Sequence, residues 1–325
     1  MTMNLEQLRG FVEVARVGHF TRAAKALHLT QPSLSRQIAG LEHDLGSELF
    51  HRARGHITLT AAGEALWPVA RRMLADAEDI RRQMAELTDL RRGRVRLGAT
   101  PTLCVSLVAD ALAAFHADHP GIELHLTERG SRGLIEELAA GALDLALVIT
   151  SQARPAPAPS LAHSPLLSEE LVVVGGGNSP FGGRDALTLA ELARMPQIVF
   201  PSSYDLRATL DEAFRAAGLT PRVVLEGAEM DAVLRFVELK MGVALVPAMV
   251  LKDRPGLSSV RLVQPRLTRT ISLARRQDVS PTRAAAALQR VLLSTADALA
   301  DGGDGLVSRV SPECPRRESN PRPRD

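Results

Sequence analysis

Apolar residues recur at helical spacing along residues 4 to 17, as Leu5, Leu8, Val12 and Ala15, and Gly18 follows where a left-handed residue closes a helix. The pattern predicts one short amphipathic helix. Thr21 then reads as an N-cap for Arg22 to Leu27, and after a break at His28 and Leu29, Thr30 reads as a second N-cap with Pro32 in the first turn that follows. In this next helix Leu34, Ile38 and Leu41 keep the i, i+4, i+7 stripe and point inward. Pro32, Ser33, Arg36 and Gly40 are left on the opposite side, with Ser35 at its edge. Two helices joined by so short a turn, from Phe20 to Ala39, form a helix-turn-helix whose outer face is small, polar and carries one arginine. Small residues permit close approach to a DNA groove, and Arg or Gln grips base edges there. Taken alone, these residues describe a solvated helix in a small bundle equally well.

Residues 45 to 60 place Leu49 and Phe50 beside Arg52 and Arg54, then a turn at Gly55 and an alternating Ile57, Leu59 strand, which predicts a two-stranded wing. From Thr60 to about Thr88 the only strong breaker is Pro68, which should disturb one turn. Leu66, Ala70, Met73, Ala77, Ile80, Met84 and Leu87 alternate by four and three through this stretch, an a/d seam over three heptads flanked by charges such as Asp76, Asp79 and Arg82. Such a helix is on the order of 40 Å long, more than a 60-residue head can cover. A partner helix, or the rest of the same chain, must cover the seam.

Beyond a polar hinge at Arg91, Arg92, Gly93 and Arg94, strands are predicted at Val95 to Ala99, Ile122 to Thr127 and Leu143 to Ile149, with helices at 102–118 and 132–140 between them. After a Pro-rich break at 155–159, strands recur at Leu171 to Gly175, Gln197 to Phe200, Val223 to Glu226, Val243 to Val246 and Thr270 to Arg275, and a last helix spans about 282–299. Alternation of this kind predicts a parallel sheet with covered faces, in two α/β lobes.

Charge changes this picture only when divided along the chain of 325 residues. Residues 1–96 carry a net +4, residues 97–300 a net −2 and residues 301–325 none. A basic head on a near-neutral body suits a polyanion partner for the head alone. Two cysteines, Cys104 and Cys314, provide no disulfide framework, no run reaches about 18 apolar residues, and the opening Met1 to Glu6 lacks the features of an export signal. A cytoplasmic protein without a membrane segment is expected.

The ordered run of Leu8, Phe11, Phe20-Thr21-Arg22-Ala23-Ala24, Thr30 to Ile38, Leu41-Glu42, Leu45-Gly46, Leu49-Phe50, Arg52, Arg54 and Leu59-Thr60-Ala61-Ala62-Gly63 resembles the N-terminal domain of the LysR-type transcriptional regulators. The resemblance thins but persists at Arg94 to Pro101, Phe115 to Pro120, Gly141 to Leu147 and Gly242 to Pro247. It implies an α+β multidomain chain. Its parts are a winged helix-turn-helix at residues 1–60, a dimerising linker helix at 61–92 and a two-lobed effector domain like the periplasmic binding proteins at 93–300. Lobe I takes about 93–165 and 267–300, lobe II about 166–266, and a disordered tail follows at 301–325. By the same resemblance Gln31, Pro32, Ser33, Ser35 and Arg36 meet double-stranded DNA, with Thr21 and Thr30 beside them and Arg52 and Arg54 near phosphates. The implied partners are a dyad-symmetric promoter site, a second copy in a dimer or tetramer, and RNA polymerase.

A two-lobed body places a small-molecule effector between the lobes. Hydroxyls at strand ends and helix starts, Thr100, Thr102, Ser131, Ser202 and Ser203, suit an anion such as a carboxylate, although each reads equally as a cap or turn residue. Other signals lead nowhere. His116 and His119 lack a third ligand, so no metal or other cofactor is expected. Gly175 to Gly177, Gly182 and Gly183 lack the ending of a phosphate loop and read as a flexible turn, and Cys104 reads as a buried helix residue. An architectural DNA binder, or a solute-binding or enzymatic α/β protein with an accessory head, would need a strongly basic body, or an export signal or catalytic set, and none is present in the residues.

Overall fold

A computed structural model describes residues 3–53, 56–88, 93–150, 161–177, 181–202, 204–227, 229–251, 254–302 and 305–310. The head begins with α1 (Leu5–Val17), whose N-cap Asn4 and third residue Gln7 exchange side-chain and backbone hydrogen bonds, and which closes on left-handed Gly18. Next come α2 (Phe20–Ala26) and α3 (Gln31–Leu45). Thr30 caps α3 as the sequence predicts, accepting from the Ser33 N–H at 3.4 Å. Thr21 does not cap α2: the helix starts two residues earlier than expected, at Phe20, and the Nδ1 of its N-cap His19 accepts the Thr21 N–H at 3.2 Å. The wing is a hairpin of β1 (Phe50–Ala53) and β2 (His56–Leu59). Leu8, Phe11, Val14, Leu34, Ile38, Leu41, Leu49 and Phe50 close one core, in which the Phe11 ring lies 5.3 Å from Phe50 and 6.3 Å from Trp67.

Helix α4 (Ala61–Thr88) runs through Pro68 unbroken. Its first turns belong to the head. Ala70 is fully buried in the head core, with Leu66, Trp67 and Leu74 packed against it. Two positions of the expected seam, Leu66 and Ala70, therefore pack on the chain's own head, and Met73, Ile80 and Met84 are exposed farther along the helix. Leu87's side chain lies outside the described residues. Where α4 begins, a Cβ on Gly63 would sit 2.2 Å from the Leu49 carbonyl oxygen. Gly63→Ala is expected to destabilise the head by about 1–3 kcal/mol, because a backbone cannot swing away as a side-chain tip can. Urea unfolding checks this, and an unchanged midpoint would show the approach of α4 to the wing to be loose.

The body continues with β3 (Gly93–Ala99), then α5 (Pro101–Leu103), which passes through a wide turn at Cys104–Val108 into α6 (Ala109–Asp118). Then follow β4 (Ile122–Glu128), α7 (Ser131–Ala139), β5 (Leu145–Thr150), β6 (Leu161–Gly176), β7 (Ala186–Thr188), α8 (Leu189–Arg194), β8 (Pro196–Val199) and α9 (Asp205–Ala216). The last elements are β9 (Arg222–Glu226), α10 (Met230–Glu238), β10 (Ala244–Pro247), β11 (Leu257–Val263), β12 (Thr268–Arg276), α11 (Arg283–Asp301) and β13 (Val307–Arg309). The sheet is mixed rather than parallel. β3 runs parallel to β4 and β5, but β12 is antiparallel to β5 and β6, and β10 and β11 are antiparallel to β6.

The reason lies in β6, sixteen residues long where only five were expected. Its first part pairs with β12 in lobe I and its last part with β10 and β11 in lobe II, so β6 carries the chain from one lobe to the other and β12 brings it back. Gly175 and Gly176 end this strand instead of forming a flexible turn, and a Cβ on Gly176 would meet the Val237 carbonyl oxygen at 2.1 Å. Lobe I packs α6 and α11 on one face of the sheet and α7 on the other. Lobe II gathers Val172, Val173, Phe200, Phe214, Val233, Val237 and Leu245 around a separate core. The expected disordered tail is ordered at its start: β13 adds to the β6 edge at Leu167–Glu169 and buries Val307, and Arg309 pairs with Asp297 and Asp301 of α11. Cys104 is half-buried on the wide turn rather than fully buried, and burial together with Glu128 pushes its thiol up to about 12, far from thiolate reactivity. Cys314 lies outside the described residues, and no helix among them is long and apolar enough to cross a membrane.

Candidate functional site

Two surfaces gather the candidate residues. On the head, the α3 stripe Leu34, Ile38 and Leu41 is fully buried, which turns the start of α3 outward. Gln31, Pro32 and Arg36 are exposed, Ser33 and Ser35 are half-exposed, and Thr21 and Thr30 are exposed beside them. Among the described residues Arg36 makes no ion pair, so its guanidinium is available for a bidentate contact. Gly40 does not share this face: a Cβ there would lie 3.0 Å from the Gln7 amide of α1, and glycine permits that crossing. The strands place Arg52 on β1, while its side chain and Arg54 lie outside the described residues.

The second surface is a cleft between the lobes with a cavity of about 290 Å³. Thr100, Pro101, Thr102 and Ile149 line it from lobe I, with Glu128, Arg129 and Gly130 at the end of β4. Tyr204, Asp205, Leu206 and Glu229 line it from lobe II, and Arg269 comes from the returning strand β12. Thr100 and Thr102, expected here, are 5% and 4% exposed. The Thr100 hydroxyl is buried with no hydrogen-bond partner among the described residues, whereas the Thr102 Oγ1 accepts from Arg269 Nη1 at 2.7 Å and keeps its own proton to donate.

Ser131 and Ser202 sit differently from expectation. The Ser131 hydroxyl is committed, donating to Asp205 Oδ2 at 2.7 Å and accepting the Ile149 N–H at 2.9 Å. It ties lobe I to lobe II instead of lining the cavity. Ser202 is exposed in a turn outside the cavity, and Ser203 lies outside the described residues. Sequence reasoning missed the charges that build the floor. Glu169, fully buried, accepts from Arg269 Nε at 2.8 Å and from the Met249 N–H at 2.6 Å. Their signal was present as two adjacent acids, Glu169 and Glu170, inside an apolar run. Also missed were Tyr204, stacked on Phe200 at 5.3 Å, and Glu229, which accepts the Tyr204 hydroxyl. Burial and these neighbouring acids, Glu229 and Glu128, raise the Tyr204 phenol, so it stays a neutral donor.

The head and body meet through ions. Asp144, just before β5, is gripped by Arg96 at 2.7 Å and by Arg82 of α4 at 3.0 Å. Arg96 also reaches Asp79 of α4 at 3.2 Å, and Arg276 of β12 reaches Asp76 at 2.6 Å. The charges predicted to flank a solvated seam therefore dock α4 on lobe I. Burial alone would raise the Asp144 carboxyl, but the hydrogen bonds and charges of Arg96 and Arg82 outweigh it and hold the group below its ordinary value.

Comparison with known proteins identifies the two parts of the chain that carry these surfaces. The family profile described as bacterial regulatory helix-turn-helix protein, lysR family, matches residues 5–64, and that of the LysR substrate binding domain matches residues 88–297. The chain is 34% identical over 272 residues to the uncharacterized HTH-type transcriptional regulator YybE of Bacillus subtilis, covering 84% of this chain and 92% of that protein. It is 33% identical over 289 residues to the HTH-type transcriptional regulator IlvR of Caulobacter vibrioides, covering 86% and 95%. Full-length CbnR, solved in complex with its target DNA, superposes with a TM-score of 0.64 at 26% identity over 90% of this chain and 100% of that one. A helix-turn-helix head, a long linker helix and a two-lobed domain in this order, matched over nearly the whole chain, place this protein in the LysR family of bacterial transcriptional regulators.

Proposed function

We propose that this regulator binds a dyad-symmetric promoter site as a homo-oligomer and that a small molecule held between its lobes alters the promoter contacts. Residues 1–60 act on DNA, 61–92 join the copies and 93–300 hold the effector. The observation that carries the reading is the outward start of α3, where Gln31, Pro32, Ser33, Ser35 and Arg36 lie on one accessible face above a fully packed core. In such a face small residues admit the groove edge and the arginine reads a base. The structural neighbour CbnR, crystallised in complex with its target DNA, supports a DNA partner.

Fluorescence anisotropy on the duplex upstream of the protein's own gene, against a scrambled duplex over a range of salt, tests the reading. Tight binding that survives physiological salt only on the native duplex is expected. Arg36→Ala should cost about 1–3 kcal/mol on that duplex and far less on the scrambled one. Equal losses on both would make Arg36 a phosphate contact.

The exposed stripe on α4 supports the oligomer. Met73 and Ile80 are 37% and 61% exposed on a helix whose other face is docked on lobe I, and a second copy packed there would cover them. Ile80→Glu sets like charges against each other across a two-fold seam. Sedimentation should show its dimer weakened by at least tenfold, about 1.4 kcal/mol. A variant that sediments as the parent does would remove α4 from the interface.

A further inference from the structure

The cleft combines a hydroxyl floor with a carboxylate mouth, and its charge does not suit an anion alone. Thr100 and Thr102 are at the inner end, each more than nine-tenths buried, and the Thr100 hydroxyl is without a partner among the described residues. Glu128 of lobe I and Glu229 of lobe II are exposed at the outer end. Both cations of the lining have a carboxylate beside them, Arg269 with Glu169 at 2.7 Å and Arg129 with Glu137 at 2.9 Å, and the buried Arg269 Nη2 is without a hydrogen-bond partner among the described residues. Among the described residues neither Glu128 nor Glu229 pairs with a cation, and Glu229 is turned into the cleft by the hydroxyl of Tyr204. A ligand carrying only a carboxylate would pass between two acids that no described cation pairs with before it reaches the Thr100 and Thr102 hydroxyls and the Arg269 Nη2 at the floor. Charges of one sign at a cleft mouth disfavour like charge and favour the opposite one, and that difference selects among ligands.

We infer that the effector is a small ampholyte, with a protonated amine held at the mouth by Glu128 and Glu229 and a carboxylate or carbonyl oxygen accepting from the Thr100 and Thr102 hydroxyls at the floor. The arrangement gives each end of an α-amino acid a complementary group. The Thr100 hydroxyl, buried and without a protein partner among the described residues, is a donor for an acceptor on the ligand. The carboxylates arrive from opposite lobes, so an ammonium between them also draws the lobes together, beside the Ser131 to Asp205 bond that already bridges them. Tyr204, stacked on the buried Phe200 with their planes 15° apart, forms a wall at the lobe II side. This inference rests on the reading that the cleft holds the effector, and it adds the effector's chemical class.

Isothermal titration calorimetry of the full-length protein tests it with three matched panels: the proteinogenic L-amino acids, the corresponding 2-hydroxy acids, and the corresponding decarboxylated primary amines. At least one amino acid is expected to bind ten times more tightly, or better, than its 2-hydroxy and amine counterparts. Glu229→Gln and Glu128→Gln are each expected to weaken that amino acid at least tenfold while leaving or improving the 2-hydroxy acid, a pattern that mere unfolding does not give. Thr100→Val, close in shape, should weaken both acids. A 2-hydroxy acid that binds as tightly as its amino acid, or a panel in which nothing binds, overturns the ampholyte. Anisotropy on operator DNA separates this from the parent reading. A 2-hydroxy acid that binds tightly and shifts DNA binding would leave the regulator intact and remove the ampholyte. An amino acid that binds through Glu128 and Glu229 yet leaves DNA binding unchanged would do the reverse.

Discussion

Arg269→Met is expected to unfold the two-lobed domain about 10 °C earlier than the parent, following a loss of about 3–5 kcal/mol from stranding a buried ion. Arg269 is 8% exposed and its partner Glu169 is fully buried. Methionine fills much of the space but leaves Glu169 Oε2 without its guanidinium, with only the Met249 N–H still held by Oε1. Thr102 loses the donor that fixes its hydroxyl. A buried carboxylate in that state takes up a proton or draws in water, and either distorts the strands at the lobe crossing. The double variant Glu169→Leu with Arg269→Met removes both charges and should recover most of the stability, because apolar replacement of an entire buried pair is close to neutral. Calorimetry of the three proteins decides the matter. A single variant costing under about 1 kcal/mol would show that the pair is hydrated and that the cleft floor is not built on it.

The head was more legible than the body, for reasons visible in single residues. Leu34, Ile38 and Leu41 mark the buried face of α3 because a helix in a small bundle has one apolar side, and Thr30 caps it through a hydroxyl, as its type suggests. His19 caps α2 with an imidazole nitrogen, a role that residue type does not advertise. On α4 the heptad spacing is shared by residues in different surroundings: Leu66 and Ala70 pack into the head, while Met73 farther along is exposed. No local pattern distinguishes these uses. In the body, β6 was cut short because Pro165 and the Glu169-Glu170 pair interrupt its apolar run. Pro165 faces Ser272 where the β12 register shifts, and Glu169 meets an arginine one hundred residues later, so both are intelligible only from strands distant in sequence. The cleft residues that came from hydroxyl type alone divide accordingly. Thr100 and Thr102 reach the cavity, while Ser131 is bound to Asp205, a partner seventy-four residues away that no motif identifies.

Asp144→Ala is expected to release α4 from lobe I and to cost about 2–4 kcal/mol, somewhat below the toll for a fully buried pair because its arginines keep some water. Asp144 is 8% exposed, and it accepts from Arg96 through both the backbone N–H at 2.8 Å and the guanidinium, as well as from Arg82. Without it, Arg82 and Arg96 face each other with Asp79 as their one shared acid. Acid should reproduce the effect in the parent. Because the folded carboxyl is held below its ordinary value of 3.8, its contribution is complete above that value and is lost as pH falls through the lower folded one. The docking contribution should thus be flat from neutral pH to about 5 and decline below about 4, and in Asp144→Ala this part of the acid dependence should vanish. The position of Asp144 links stability to regulation. It lies one residue before β5, whose other end carries Ile149 at the cleft and the N–H held by Ser131. A strand is stiff along its length, so a shift of the cleft end moves the acid that holds α4. In Asp144→Ala the effector should therefore still bind the cleft, within about threefold of the parent, while its effect on DNA anisotropy falls by at least tenfold, or about 1.4 kcal/mol of coupling. If the variant instead responds to effector as the parent does, the signal reaches the head by a route other than β5 and the Asp144 ions.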